Sequence, residues 1–219
     1  MPLTSPTDKL DSLLRSCCKQ TGLDGAGVSM VTAAGAREPL HATDVVSKEI
    51  ERLQFTLGEG PCVDASRAGG PVLAADLADE SDHVAAGWPV FRTEALRAGA
   101  RAVFAFPVRV GAVSLGAVDM YRSTRGGLSD DQVGTALTSV DRLGVALLDH
   151  PTGYRDHDPG AVSDPLVHQA AGMVMIQLDT RIEEALVRLR AAAFAEGRTV
   201  SELASDVVHR RRRLAKEDR

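Results

Sequence analysis

RAVFAFPVRVGAVSLGAVDMY, residues 101–121, holds two apolar runs on either side of Gly111-Ala112. Runs rich in Val and Phe, broken by a pair of small residues, predict two strands joined as an antiparallel hairpin. Pro107 has no N–H to offer a neighbour, so the first strand needs a bulge or a nitrogen that faces off the sheet. An antiparallel hairpin also argues against a receiver fold, which requires strand-helix alternation and a parallel sheet.

Upstream, SPTDKLDSLLRSCCKQTG opens with Ser5 before Pro6, a helix-start signal, and sets Leu10, Leu13, Leu14 and Cys17 on one face before Gly22. GAGVSMVTA and REPLHATD read as two short strands that meet at Gly35. VSKEIERLQ is a helix leading into LGEGPCVDAS, and PVLAADL is a further strand. WPVFRTEALRAG has helical period, with Phe91, Ala95 and Leu96 inward and Gly99 closing it. Downstream, Ser129 and Gln132 form a capping box that opens a long helix. Its apolar positions Val133, Leu137, Val140, Gly144 and Leu147 follow a heptad-like spacing. So narrow a seam suits either the chain's own sheet or a helix from a second copy.

The composition is that of a globular protein, 44% hydrophobic and 25% charged over 219 residues. Net charge is -5, yet the acidic excess lies in the first 162 residues, whereas the remainder is near neutral with arginines bunched at its end. Such asymmetry suggests two modules with different partners. No apolar run is long enough to span a membrane, and MPLTSPTDKL lacks the features of a signal peptide, so a cytoplasmic protein without membrane contact is expected. Cys17, Cys18 and Cys62 read as reduced thiols, and the histidines, His150 and His157 included, have no metal-site spacing. No P-loop, HExxH or nucleophile elbow is present, which argues against an enzyme. Glu59, Asp64 and Asp76 read as turn and cap residues.

PTGYRDHDPG marks a domain boundary, with a linker at 151–162. Beyond it the chain is helical throughout. Asp164-Pro165 opens one helix, running through Leu178, and capping boxes Thr180/Glu183 and Thr199/Glu202 open two more. RTVSELASDVVHRRRRL looks at first like the start of a DNA-reading helix-turn-helix, but no turn and recognition helix follow Val208. Continuing the apolar stripe puts Arg211 near its centre and Leu214 within it, so the bundle ends near Arg210 or Arg211 snorkels. In the middle helix Ile182, Ala185, Leu186, Leu189 and Ala193 face inward, leaving Arg181 and Arg188 on one flank and Arg190 at the other edge. Cations spread over a small helical unit suit phosphate and shape contacts with folded RNA.

HQAAGMVMIQLDTRIEEALVRLRAAAFAEGRTVSELASDVV resembles the ANTAR domain, a three-helix RNA-binding module of bacterial transcription antiterminators. LGEGPC, PVLAADL, WPVFRTEALRAG, FAFPVRVGAVSLGAVDMYR and LSDDQVGTAL, in that order, resemble the GAF half of actinobacterial GAF-ANTAR proteins. The resemblance implies an α+β chain: a GAF-like antiparallel sheet flanked by helices over 5–150, then an all-α three-helix bundle over 163–216. It implies a signal-responsive antitermination regulator that binds paired RNA stem-loops as a homodimer, with a GAF-mediated dimeric scaffold as the alternative. RNA-binding candidates are Gln169, Arg190 and Arg198 by resemblance, with Arg188, Arg210 and Arg212 added from the residue pattern. Candidates for a small-molecule site in the front domain are Gly58, Glu59, Gly60, Cys62 and Trp88; Cys62 reads either as an exposed redox-sensitive thiol or, in preference, as a small buried hydrophobe at a structural turn before a helix. The cofactor stays open, because nothing marks a haem, bilin or cyclic-nucleotide site. Two positions depart from the families: Ala171 stands where ANTAR domains carry Lys, and Gly87 where the related GAF sequences carry Arg.

Overall fold

The computed structural model describes residues 6–31, 37–79, 81–111, 113–148 and 165–214. The readings at Ser5, Gly35, Ala112, the 151–162 linker, both linker histidines, Asp164 and Lys216 lie outside these, as do the side chains of Glu183 and Phe194.

β4 (Ala102–Val110) and β5 (Val113–Arg122) form the expected antiparallel hairpin. The register slips between Val108 and Arg109, one residue past Pro107. On its other side β4 pairs with β3 (Val72–Ala74) only as far as Ala105, so Pro107 interrupts no ladder there. β1 (Gly25–Val31) joins β5, and β2 (Arg37–Ala42) joins β1, giving the order β2-β1-β5-β4-β3 with every pairing antiparallel.

The two-residue period of the strands sorts side chains into two layers. Ala26, Val28, Phe104, Phe106, Val118 and Met120 point to one face, covered by α1 (Pro6–Thr21) and α5 (Asp130–Leu148). Leu10, Leu14 and Cys17 of α1 meet Val140, Leu143 and Leu147 of α5 in this layer. The other face is covered by α2 (Val45–Leu57), α3 (Pro61–Ala68) and α4 (Pro89–Ala98), with a 3-10 turn at Ala85–Gly87 ahead of α4. LGEGPCVDAS is a turn followed by a helix, and the helix begins at Pro61 itself.

α6 (Pro165–Leu178), α7 (Ile182–Ala195) and α8 (Val200–Val208) build a separate core from Val167, Ala170, Val174, Leu186, Leu189 and Leu203, among others. Thr199 and Glu202 cap α8 reciprocally, as their spacing predicts. α8 stops at Val208 because Arg210 turns left-handed, at φ 59°. The chain then folds back, and Leu214 packs on the bundle while its N–H donates to Gln177 Oε1 at 3.1 Å. The arginine run therefore lies off the helix, and Arg211 is exposed rather than snorkelling.

α5 differs from its expected seam. The capping box is present, Ser129 N–H donating to Gln132 Oε1 at 2.9 Å and Gln132 N–H to Ser129 Oγ at 3.3 Å. Burial keeps Val140, Gly144 and Leu147 of that spacing, adds Ala136, Leu143 and Ala146, and leaves Leu137 exposed together with Val145 and Leu148. A globular helix against a sheet and a second helix buries a wider stripe than a two-helix seam, which rotates the buried face. Leu143→Ala should thus destabilise the protein by about 2–5 kcal/mol in urea melts, whereas Leu137→Ala should cost under about 1 kcal/mol. The reverse order would show that the buried face has been misassigned.

Candidate functional site

The face covered by α2 and α3 carries polar residues where a core would be apolar. Ser29 on β1 and Asp119 on β5 point to it by strand alternation, and Gly27 lies opposite Asp119. In α2, Ser47, Ile50, Glu51 and Gln54 share the inward stripe at helical spacing. Glu51 lies directly on the sheet because Gly27 has no side chain: a Cβ there would sit 2.6 Å from Glu51 Cγ.

Gln54 ties these elements together. Its Nε2 donates to Asp119 Oδ2 at 2.9 Å, and its Oε1 accepts from Cys62 N–H at 2.7 Å, at the start of α3. Gly58 (φ 69°) ends α2, and Gly60 (φ 130°) precedes α3, so the chain turns tightly enough to bring Cys62 under Gln54. From β2, Arg37 Nη1 donates to the Cys62 carbonyl at 2.7 Å and reaches Cys62 Sγ at 3.5 Å, while Ser29 Oγ lies 3.1 Å from the same sulfur.

Glu51 and Asp119 are both fully sequestered from solvent, and each has one oxygen without a donor, Oε1 and Oδ1. A proton held between the two carboxyls satisfies both. Burial raises the pKa of each, and for Glu51 the charge of Asp119 raises it further, so Glu51 is the member that stays protonated. The charge of Arg37 opposes the rise for both carboxyls.

Ser29, Arg37, Glu51, Gln54 and Cys62 line a cavity of about 360 Å³ with Phe55, Val63 and Arg67, and Leu186, Val187 and Arg190 of α7 form its far side. Arg190 lies flat over Phe55, its Cζ 5.1 Å from the ring centroid. A second tie between the units is His168 of α6, whose Nε2 lies at ion-pair distance, 3.0 Å, from Glu38 of β2.

Of the residues expected to bind a small molecule, Gly58 and Cys62 line the cavity. Glu59 instead caps α4, its Oε1 accepting from Val90 and Phe91 N–H at 2.9 and 2.8 Å. Gly60 supplies the turn, and Trp88 is a core anchor, 1% exposed, edge-on to Phe91 and donating to Asp64 Oδ2 at 2.8 Å. Asp76 is taken by Arg101, at 2.5 and 3.0 Å, so Glu59, Asp64 and Asp76 have separate structural duties, as turn and cap residues should.

Of the two readings of Cys62, the structure has the small buried residue and not the exposed thiol. Cys62 is wholly buried, and burial pushes its pKa well up, so thiolate is scarce at neutral pH. The small apolar neighbourhood of Ala65, Ala105 and Ala117 accounts for this. Among the described residues no group of His, Cys, Asp and Glu has the arrangement of a metal site.

The RNA candidates are dispersed. Gln169 is exposed on α6. Arg188 pairs with Glu184 at 2.9 Å, Arg198 with Asp206 at 2.6 Å, and Arg212 with Glu196 at 2.8 Å. Arg210 is exposed at the left-handed turn. Arg190 stands apart from them, in the cavity wall. Ala171, one of the two positions that depart from the resemblance, is fully buried in the bundle.

The sequence reading missed Glu51, Asp119, Gln54 and Arg37. Asp119 had a signal, as the one charged residue in the apolar run LGAVDMY, and so did Glu51, which shares the Ile50 stripe.

Residues 4–148 match the family model of the GAF domain, and the chain belongs to the GAF domain family. No curated protein matches it. Solved structures with the same fold include a domain assigned to a two-component sensor histidine kinase of Sinorhizobium meliloti, 17% identical, TM-score 0.51, covering 67% of this chain and 93% of that one. A GAF domain/HD domain protein from Geobacter sulfurreducens is 17% identical, TM-score 0.51, over 68% of this chain and 95% of that one. The GAF domain of a phosphoenolpyruvate-protein phosphotransferase from Coxiella burnetii is 13% identical, TM-score 0.52, over 68% and 85%. Among the described residues no helix is long and apolar enough to cross a membrane.

Two outcomes follow from the buried cluster. Because the folded pKa of Glu51 lies above its unfolded value, its contribution is full below about pH 4.3 and is lost as pH rises through the folded value. Glu51→Gln, which mimics the protonated acid, should remove a stability slope of up to about 1.4 kcal/mol per pH unit, read by urea unfolding between pH 5 and 8. Second, all three thiols are buried and their pKa values raised, that of Cys18 to about 12. An aromatic disulfide reagent at pH 8 should label them only slowly in the native chain and at once in urea.

Proposed function

We propose that this chain is a cytoplasmic, signal-responsive regulator in which the GAF domain controls a C-terminal RNA-binding bundle of the ANTAR kind, acting in transcription antitermination. The observation that carries this reading is the bundle itself. The positions on which the resemblance rests, among them Ala170, Ala185, Leu186, Val200 and Ala204, are those that pack the three helices together. The bundle also docks on the GAF domain through α7, beside the cavity. A sensor domain with a pocket and an output module touching that pocket is the layout a regulator needs. The role is regulatory rather than catalytic.

Carboxylates already accompany Arg188, Arg198 and Arg212, but exposed pairs of this kind contribute only about 0–1 kcal/mol. Phosphate groups can therefore displace the carboxylates at little cost. Exposed Leu137, Val145 and Leu148 give α5 an apolar face suited to a homodimer, which would present two bundles to paired stem-loops. The same acidic partners favour the second reading, a dimeric GAF scaffold without RNA affinity. A DNA-reading role has less support, since among the described residues no helix follows α8.

Gel shifts of the full chain with paired stem-loop RNAs at low salt decide between these. Binding should weaken steeply with salt, and Arg198→Ala with Arg212→Ala should weaken it further and flatten the salt slope. Absence of any shift would sink the RNA reading and leave the scaffold.

A further inference from the structure

Three arginines line one cavity: Arg67 of α3 is largely exposed and lies 3.8 Å from Asp64, whereas Arg37 from β2 and Arg190 from α7 reach in from different units of the chain. The Nε of each of these last two is buried and has no acceptor. For Arg37 the nearby carboxyls of Glu51 and Asp119 are the electrostatic partners. Arg190 has no such partner. Among the described residues no acidic side chain pairs with it, and burial alone lowers its pKa, to about 10. The face of Phe55 offsets part of the lost hydration. A half-buried cation with a buried, unused Nε–H and no counter-charge is costly to keep, and an anion in the cavity would supply what is missing.

We propose that this cavity binds a small organic anion shared between the GAF domain and α7. Its anionic head lies between Arg190 and Arg37, and the rest of the molecule lies along Phe55, Val63 and Val187. The volume, about 360 Å³, suits a metabolite-sized ligand. Because Leu186, Val187 and Arg190 form one wall, the anion is held by both units at once. Binding then favours the docked position of α7 by linkage, as any ligand favours the state that binds it better. In so far as the bundle reads RNA, a point that rests on the function proposed above, the docked state withdraws Arg190, and anion and RNA oppose each other.

The test uses the full chain with succinate and glycerol 3-phosphate as probes, one carboxylate and one phosphate, in sodium chloride of matched ionic strength. Calorimetric titration should show saturable binding of at least one probe, and which one separates the two head groups. Arg190→Gln and, independently, Arg37→Gln should each weaken it at least tenfold, with folding checked by circular dichroism. Hydrogen exchange of the α7 amides should slow when the probe binds the parent chain and stay unchanged in Arg190→Gln. Failure of both probes to bind, undiminished binding by Arg190→Gln, or α7 exchange indifferent to the probe would each overturn the proposal. A chain that binds no RNA would overturn the function and not this site, which titration and exchange decide alone.

Discussion

The Gln54 side chain is the joint on which the site depends. One end donates to Asp119 on the central strand β5, and the other accepts from Cys62 at the start of α3. A neutral amide does both jobs at once, which a carboxylate could not, because a carboxylate only accepts. Around it, Glu51 and Asp119 stay buried by holding one proton between them, and Ser29 and Arg37 reach the thiol and carbonyl of Cys62. Leaving any of these groups unmatched would cost about 1–3 kcal/mol. The cavity thus has a floor tied together by Gln54 and Cys62, while the Nε atoms of Arg37 and Arg190 in its walls stay unmatched.

Much of the scaffold was legible in the residues. The hairpin and the capping boxes at Ser129 and Thr199 are local signals, set by turn chemistry and spacing. The site was less so. Glu59 looked like a pocket residue beside Gly58 and Gly60, yet its partners, Val90 and Phe91, lie some thirty residues on. Only the fold reveals such a distant cap. Asp119 and Glu51 meet across a β-strand and a helix far apart in sequence, and neither position alone says that the other will be its proton partner. The heptad spacing of α5 was genuine but incomplete, since contact with α1 and the sheet moved the buried stripe toward Leu143.

Arg190 shows the same limit from the other side. On a helical wheel it is one more cation at the edge of an amphipathic helix, equivalent to Arg188. The fold separates the two: Arg188 lies in solvent with Glu184, while Arg190 is laid on Phe55 of the neighbouring domain. Sequence spacing assigns a face; it does not say whether another domain covers that face.

Trp88 is the chain's single tryptophan, and it is sealed in the GAF core against Phe91 with its indole N–H on Asp64. None of the three C-terminal helices carries a second indole. Nature has thus left the molecule with a built-in optical label that sees one of its two units. Fluorescence emission follows the sheet and its helices, whereas far-ultraviolet dichroism follows the whole chain. Comparing the two signals along one melting curve resolves whether the units come apart together or in sequence.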